Sequence, residues 1–202
     1  MKLLVATRND GKAREIRELF RGLPFTPVFP DEMGLERMLE EADLERETTY
    51  AANAVAKAKH FAERTGLPTC GDDSGIEVDA LDGAPGVHSA RFAGAGADER
   101  ANNALLLDRL AGLPVERRGA RYRCVVAYLQ SPGAVPELVE ASCEGHILAE
   151  PRGTGGFGYD PLFFSSELGM SFGEAPAAAK HRVSHRGRAF RALIEVLLRR
   201  SA

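Results

Sequence analysis

The chain has 202 residues and a formal net charge of -3. That length suits one sizeable α/β domain, with room for two lobes, rather than two independent domains, and the charge excludes a general nucleic-acid binder, whose affinity rests on a basic surface. Hydrophobic residues make up 44% of the chain and charged residues 27%, as in ordinary globular proteins; no run of about 18 apolar residues spans a membrane, and the N-terminal apolar run is too short for a signal peptide.

In chain order, Leu3 to Ala6 reads as a short buried strand, and Thr7-Arg8-Asn9-Asp10-Gly11-Lys12 as a polar turn at its C-terminal end, where ligands gather in open α/β sheets. A helix follows with Ile16, Leu19 and Phe20 on one face. Residues 25–30 read as a second strand, and residues 36–47 as an acidic stretch. A second helix is predicted from Tyr50 to about Arg64, with Thr48 or Thr49 as N-cap and Gly66 just past its end. Leu67 to Gly71 enters a strand that Asp72-Asp73-Ser74-Gly75 is expected to interrupt before Ile76 to Leu81 resumes it. A third helix lies near Asp98 to Ala111. Arg121 to Leu129 and Leu138 to Leu148 pair as a long hairpin. The chain closes with a helix whose apolar positions are Phe190, Leu193, Ile194, Leu197 and Leu198. Three cysteines, Cys70, Cys124 and Cys143, have an odd count and no CxxC spacing, so buried free thiols in a reducing cytosol are expected.

Gly153 to Pro161 reads GTGGFGYDP. Its glycines leave backbone N–H groups open to an anion, and Phe157 and Tyr159 stand in the loop rather than in a core-periodic run. Such a loop suits a ligand that is part phosphate and part flat ring, with Asp160 as a fixed acceptor. Asp72 and Asp73 are adjacent carboxylates that repel each other unless a cation or a shared proton offsets the cost; a hard divalent ion such as Mg2+ does so and accompanies phosphates. A solvated turn has the same composition. The acidic stretch offers a third oxygen ligand, Glu45 or Glu47. Lys12 begins the first helix, where N–H groups favour phosphate, although GxxxxGK[ST] is absent. Asn53 and Lys57 are four apart and share a helix face. Ser184 reads as an N-cap, and His185, Arg186 and Lys180 form a donor cluster suited to carbonyl oxygens of a base or to phosphate.

Taken together, ATRNDGK, TYAANAVAKAKH, GDDSGIEVDALDGAPGVHSARFAG, GTGGFGYDPLF and KHRVSHRG, in that order and spacing, resemble the inosine triphosphate pyrophosphatase family from Leu3 to the last helix. The resemblance implies one α/β domain over residues 1–202: an elongated mixed sheet flanked by helices, with two lobes around a cleft, as a cytoplasmic homodimer. It implies Mg2+-dependent cleavage of non-standard purine nucleoside triphosphates (ITP, XTP and their deoxy forms) between the α- and β-phosphates, with no nucleic-acid or membrane partner. Residue by residue, it implies that Thr7, Arg8, Asn9, Asp10, Gly11 and Lys12 hold the triphosphate and that Lys57 meets the phosphates. Asp73 becomes the proton acceptor that activates water, and Glu45, Asp72 and Asp73 the metal site. Ser74 touches substrate, while Phe157, Gly158, Tyr159, Asp160, Lys180, His185 and Arg186 hold the base and sugar.

That assignment moves the phosphates away from the glycine loop and leaves the loop to the nucleoside, with Phe157 as stacking ring. The chain departs from the family pattern at Arg8, where a glycine is common and an extra cation or a different backbone is expected, and at Leu44-Glu45-Arg46-Glu47, which leaves Glu47 as an alternative to Glu45. Two other readings are a pyrophosphatase for pyrimidine or modified nucleotides on a related fold, and a nucleotide-sensing or RNA-binding module that stacks bases on Phe157 and Tyr159.

Overall fold

The computed structural model describes residues 1–201. Helix α1 (Asp10–Leu19) follows strand β1 (Lys2–Val5), with Asn9 as the N-cap whose side chain accepts from the Lys12 amide. After β2 (Thr26–Val28), helix α2 runs Tyr50–Thr65, capped by Thr49 and ended by Gly66 in the left-handed conformation (φ +69°). Strand β3 (Thr69–Val78) leads to α3 (Glu99–Arg109), whose N-cap is Asp98, and then to β4 (Gly119–Leu129) and β5 (Glu137–Ile147). Two short strands, β6 (Phe163–Ser165) and β7 (Met170–Ser171), precede α4 (Ala177–Val183) and α5 (His185–Ser201).

The strands form one open, mixed sheet flanked by helices, in the order β2-β1-β3-β4-β5-β6-β7. Strand β1 is parallel to both β2 and β3, with Leu4 opposite Val28 and Val5 opposite Cys70; β6 is antiparallel to β5 and β7. Strand β3 corrects the sequence reading: Asp72-Asp73-Ser74-Gly75 does not interrupt it, and the strand is continuous. Successive side chains of a strand face opposite ways, so Gly71 and Asp73 share one face of β3 while Cys70 and Asp72 share the other.

The chain divides into two compact units. One comprises Met1–Asp73, Cys124–Ala141 and the residues from Ala189 onward. Its core joins Leu3, Val5, Ile16, Phe20, Cys70, Cys124 and Val126 to Phe190, Leu193 and Leu197; a smaller cluster sets Leu4 and Ala6 against Phe61. Leu198, expected on the apolar face of the last helix, is instead 40% exposed. The other unit comprises Ser74–Arg123 and Ser142–Arg188, and its core includes Ile76, Val78, Leu106, Leu110, Tyr122, Phe163 and Phe172.

All three cysteines are buried and unbridged. Burial pushes the Cys70 and Cys143 thiols up, Cys143 to about 11, which leaves both protonated and unreactive near neutral pH. Among the described residues, no helix is long and apolar enough to cross a membrane.

Candidate active site

Each unit carries a polar cluster. In the first, β3 and α2 approach so closely that a Cβ added at Gly71 would lie 2.5 Å from the Ala54 carbonyl oxygen and 2.8 Å from the Ala58 nitrogen. This turn of α2 therefore lies directly on the strand, and Asn53 and Lys57 reach Asp73 two residues along the same face. Asp73 is 6% exposed; its Oδ2 accepts from Asn53 Nδ2 at 2.9 Å and its Oδ1 from Lys57 Nζ at 3.2 Å. Because the obstacles are backbone atoms, Gly71→Ala should force the helix off the strand. The expected cost is roughly 1–3 kcal/mol, read as a Tm fall of about 2–4 °C per kcal/mol, together with lost activity as Asn53 and Lys57 move from Asp73. A variant with wild-type melting would remove close approach as the reason for glycine at this position.

The same ammonium of Lys57 also donates to Glu45 Oε1 at 2.7 Å, and Lys12 Nζ donates to Asp72 Oδ2 at 2.8 Å. Burial alone would lower the pKa of Lys57, but Asp73, Glu45 and Asp72 outweigh it and raise it above its ordinary value. Burial alone would likewise raise Glu45; Lys57 and Lys12 reverse this and hold it below the usual glutamate value, so it is ionised at neutral pH. Among the described residues, no three His, Cys, Asp or Glu side chains gather by themselves as an ion site, and a lysine stands against each of these three carboxylates. Glu45, Asp72 and Asp73 nevertheless bring three formal negative charges against two from Lys12 and Lys57. Carboxylate oxygens with residual negative charge are the donors that a hard divalent cation takes, although Asp72 and Asp73 leave β3 on opposite faces.

In the Thr7–Lys12 turn Asn9 caps α1, and Arg8 departs from the extra cation expected there. Thr7 Oγ1 accepts from the Asn9 amide at 3.2 Å, and Asn9 Oδ1 from the Lys12 amide at 2.9 Å. Asp10 and Gly11 form the first turn of α1, whose N–H groups have no acceptor within the helix. Arg8 does not add a spare cation to this turn. Its guanidinium grips both oxygens of Glu41 at 2.6 and 2.8 Å, bonds Asp31 and reaches the carbonyls of Leu35 and Glu36. Two carboxylates already offset its charge.

The second cluster surrounds the glycine loop. Asp160 Oδ2 accepts from the Phe157 amide at 2.7 Å and from Lys180 Nζ at 2.5 Å. Gly156 makes this possible, since its Cβ would fall 2.0 Å from the same oxygen and its φ is +74°. Lys180 Nζ lies 5.1 Å from the Phe157 ring centroid and the Arg186 guanidinium carbon 5.4 Å from it, so one half-buried ring meets two cations. Arg186 donates to Ser74 Oγ at 2.8 Å. His185 stacks on Tyr122, with ring centroids 4.5 Å apart and an interplanar angle of 7°. Ser184 Oγ accepts from the Gly187 amide at 3.1 Å, as an N-cap does. Asn103 Nδ2 holds the Gly158 carbonyl at 3.0 Å. Tyr159 corrects the loop reading: it is 5% exposed, belongs to the hydrophobic core, and spends its hydroxyl on the Ser89 carbonyl. The two-ring stacking platform of the RNA-binding reading is therefore absent.

The chain matches the Ham1 family over residues 3–196. It belongs to that family. A dITP/XTP pyrophosphatase of Geobacter sulfurreducens is 51% identical to it, over 93% of this chain and 92% of that protein. One from Desulforamulus reducens is 46% identical, over 98% and 96%. Among solved structures, a HAM1 protein from Coxiella burnetii aligns with a TM-score of 0.86 at 34% identity, covering 98% of this chain and 99% of its own. A nucleoside-triphosphatase / dITP/XTP pyrophosphatase from Mycobacterium abscessus gives 0.72 at 37%, covering 98% and 100%. Within this Ham1-family chain, sequence reasoning did not single out Gly71, Tyr122 or Asn103. Only Gly71 left a signal, since glycine inside a strand marks a close backbone approach.

Proposed function

We propose that the chain hydrolyses non-standard purine nucleoside triphosphates, ITP and XTP with their deoxy forms, to the monophosphate and pyrophosphate. The observation that carries this reading is the buried carboxylate of Asp73, oriented by Asn53 and Lys57, in a chain 51% identical to a dITP/XTP pyrophosphatase. In-line attack of water on a phosphoryl group concentrates negative charge on its oxygens, and catalysis is largely positioning and electrostatic stabilisation. Asp73 takes the proton of the attacking water, and its two fixed hydrogen bonds aim it. Lys57 and Lys12, with the first turn of α1, receive the phosphates. Mg2+ held by Glu45, Asp72 and Asp73 would supply further positive charge there.

The nucleoside end falls to the second cluster. Phe157 stacks on the base, while Lys180, His185 and Arg186 offer donors. Hypoxanthine and xanthine carry a 6-oxo acceptor where adenine carries an amino donor, so donors there leave adenine mismatched. An unsatisfied buried polar group costs about 1–3 kcal/mol, roughly ten- to a hundredfold per contact. We further infer a single catalytic domain and a cytoplasmic homodimer; strands shared by both units, buried free thiols and the family resemblance support these readings.

Incubation with Mg2+ and a panel of ITP, XTP, GTP, ATP and dTTP tests the reading. Pyrophosphate should be released from ITP and XTP, with ATP trailing by at least about tenfold for one mismatched contact; guanine shares the 6-oxo acceptor, so any discrimination against GTP falls on its 2-amino group. Release of orthophosphate, or preference for dTTP, would overturn it.

A further inference from the structure

Arg8 sits in the Thr7–Lys12 turn, yet every hydrogen bond of its guanidinium points to a distant stretch of chain. Glu41 belongs to a helical turn at Leu39–Asp43, and Glu45 follows two residues after that turn. Arg8 meets Glu41 through two nitrogens in the fork geometry that only arginine provides. It also bonds Asp31, Leu35 and Glu36, so one side chain ties together residues 31–41. The side chains of Arg8 and Glu41 are each only 10% exposed.

Arg64, at the end of α2, grips Glu41 from a second direction at 2.9 Å and the Glu36 carbonyl at 2.8 Å. Glu41 thus lies between two guanidinium groups, and its carboxyl is held down to about 2: burial would raise it, but Arg8 outweighs that, with Met38 and Arg64 adding to the effect. The far end of the segment is held separately. Leu44 packs on the Leu4, Ala6 and Phe61 cluster, and the Glu47 amide donates to Asn53 Oδ1 at 3.0 Å. Glu45 lies between these two anchors, where it meets Lys57.

We infer that Arg8 is a positioning residue, fastening the Thr7–Lys12 turn to the segment that carries Glu45 and so setting how tightly Glu45 serves the divalent cation. Its catalytic consequence rests on the pyrophosphatase reading; its structural part does not. Without the fork, Glu41 keeps Arg64 but loses two of its three guanidinium contacts. The 36–47 segment then opens more often, as local units with fewer fastenings do, and Glu45 is in place for a smaller fraction of the time.

The test compares Arg8→Met, Arg8→Lys and Glu41→Gln with wild type. Amide hydrogen exchange over residues 36–47, measured without metal or nucleotide, should speed up in Arg8→Met and Glu41→Gln, and less in Arg8→Lys, which keeps the charge but not the fork. The Mg2+ concentration giving half-maximal ITP hydrolysis should rise about three- to tenfold in the first two, in line with coupling between residues of one network. In a Glu45→Gln background the Arg8→Met change should add no further rise, whereas a purely structural role would add one. Calorimetric titration with Mn2+ should weaken in the same order. Unchanged exchange, an unchanged cation requirement or an additive double variant would each overturn the inference. Should Arg8→Met fail to fold, Glu41→Gln carries the same readouts. A wild-type protein inert toward ITP sinks the pyrophosphatase reading, while exchange and Mn2+ titration still decide the role of Arg8.

Discussion

Replacing Asp73 by asparagine is expected to slow pyrophosphate release from ITP by roughly 10²–10⁴-fold, the range for a lost general base, while nucleotide binding stays measurable. The substitution conserves volume and removes the carboxylate proposed to accept the proton. It also disturbs the orientation of that group. Both oxygens of Asp73 accept, from Asn53 at 2.9 Å and from Lys57 at 3.2 Å, and an amide offers only one acceptor. Its NH2 must face one of those two donors, so one hydrogen bond is lost in either orientation. Lys57 retains Glu45 at 2.7 Å, which keeps its buried charge compensated and should allow the variant to fold. Single-turnover pyrophosphate release, paired with calorimetric binding of ITP and a thermal melt, separates chemistry from unfolding. A folded Asp73→Asn protein with near-normal turnover would remove Asp73 from the role of base.

Features that act on neighbouring residues are legible in the sequence. Helix α2 begins at Tyr50, takes Thr49 as its cap and stops at Gly66, because a hydroxyl at the start and a glycine at the end act on adjacent backbone. The expected sharing of a face by Asn53 and Lys57 follows from helical spacing alone, and both reach Asp73. What the sequence hides depends on partners far along the chain. Asp-Asp-Ser-Gly has turn composition, yet β3 runs through it, since its neighbours in the sheet fix the backbone and Lys12 and Lys57 offset the two charges.

Arg8 reads as a spare cation because its partners stand 23 to 33 residues away. Tyr159 has glycine and aspartate beside it and reads as loop, but the Ser89 carbonyl that takes its hydroxyl lies 70 residues earlier. The pattern is physical: caps and periodicity are written locally, whereas the use of a charged or aromatic tip is decided by tertiary packing.

Asp160 shows that packing at its most consequential, and its replacement by asparagine is expected to destabilise the protein by about 3–5 kcal/mol, the usual penalty for removing one partner of a buried ion pair. At about 2–4 °C per kcal/mol, the melt should fall by roughly 6–20 °C. The carboxylate accepts from Lys180 at 2.5 Å and from the Phe157 amide at 2.7 Å, and both Asp160 and Lys180 are buried. An asparagine keeps one acceptor for the Phe157 amide but sets a neutral amide against the Lys180 ammonium, whose burial the carboxylate had offset. The second variant decides the cause. Asp160→Asn combined with Lys180→Met removes both charges and should recover much of the lost stability, because a buried pair replaced as a pair is often close to neutral. Activity should not recover with it. The double variant lacks one of the two cations near the Phe157 ring, so its KM for ITP should stay raised even where its melt approaches wild type. If stability and KM recover together, Lys180 serves the fold alone; if neither single nor double variant shifts the melt, the Asp160–Lys180 pair is not what holds the loop.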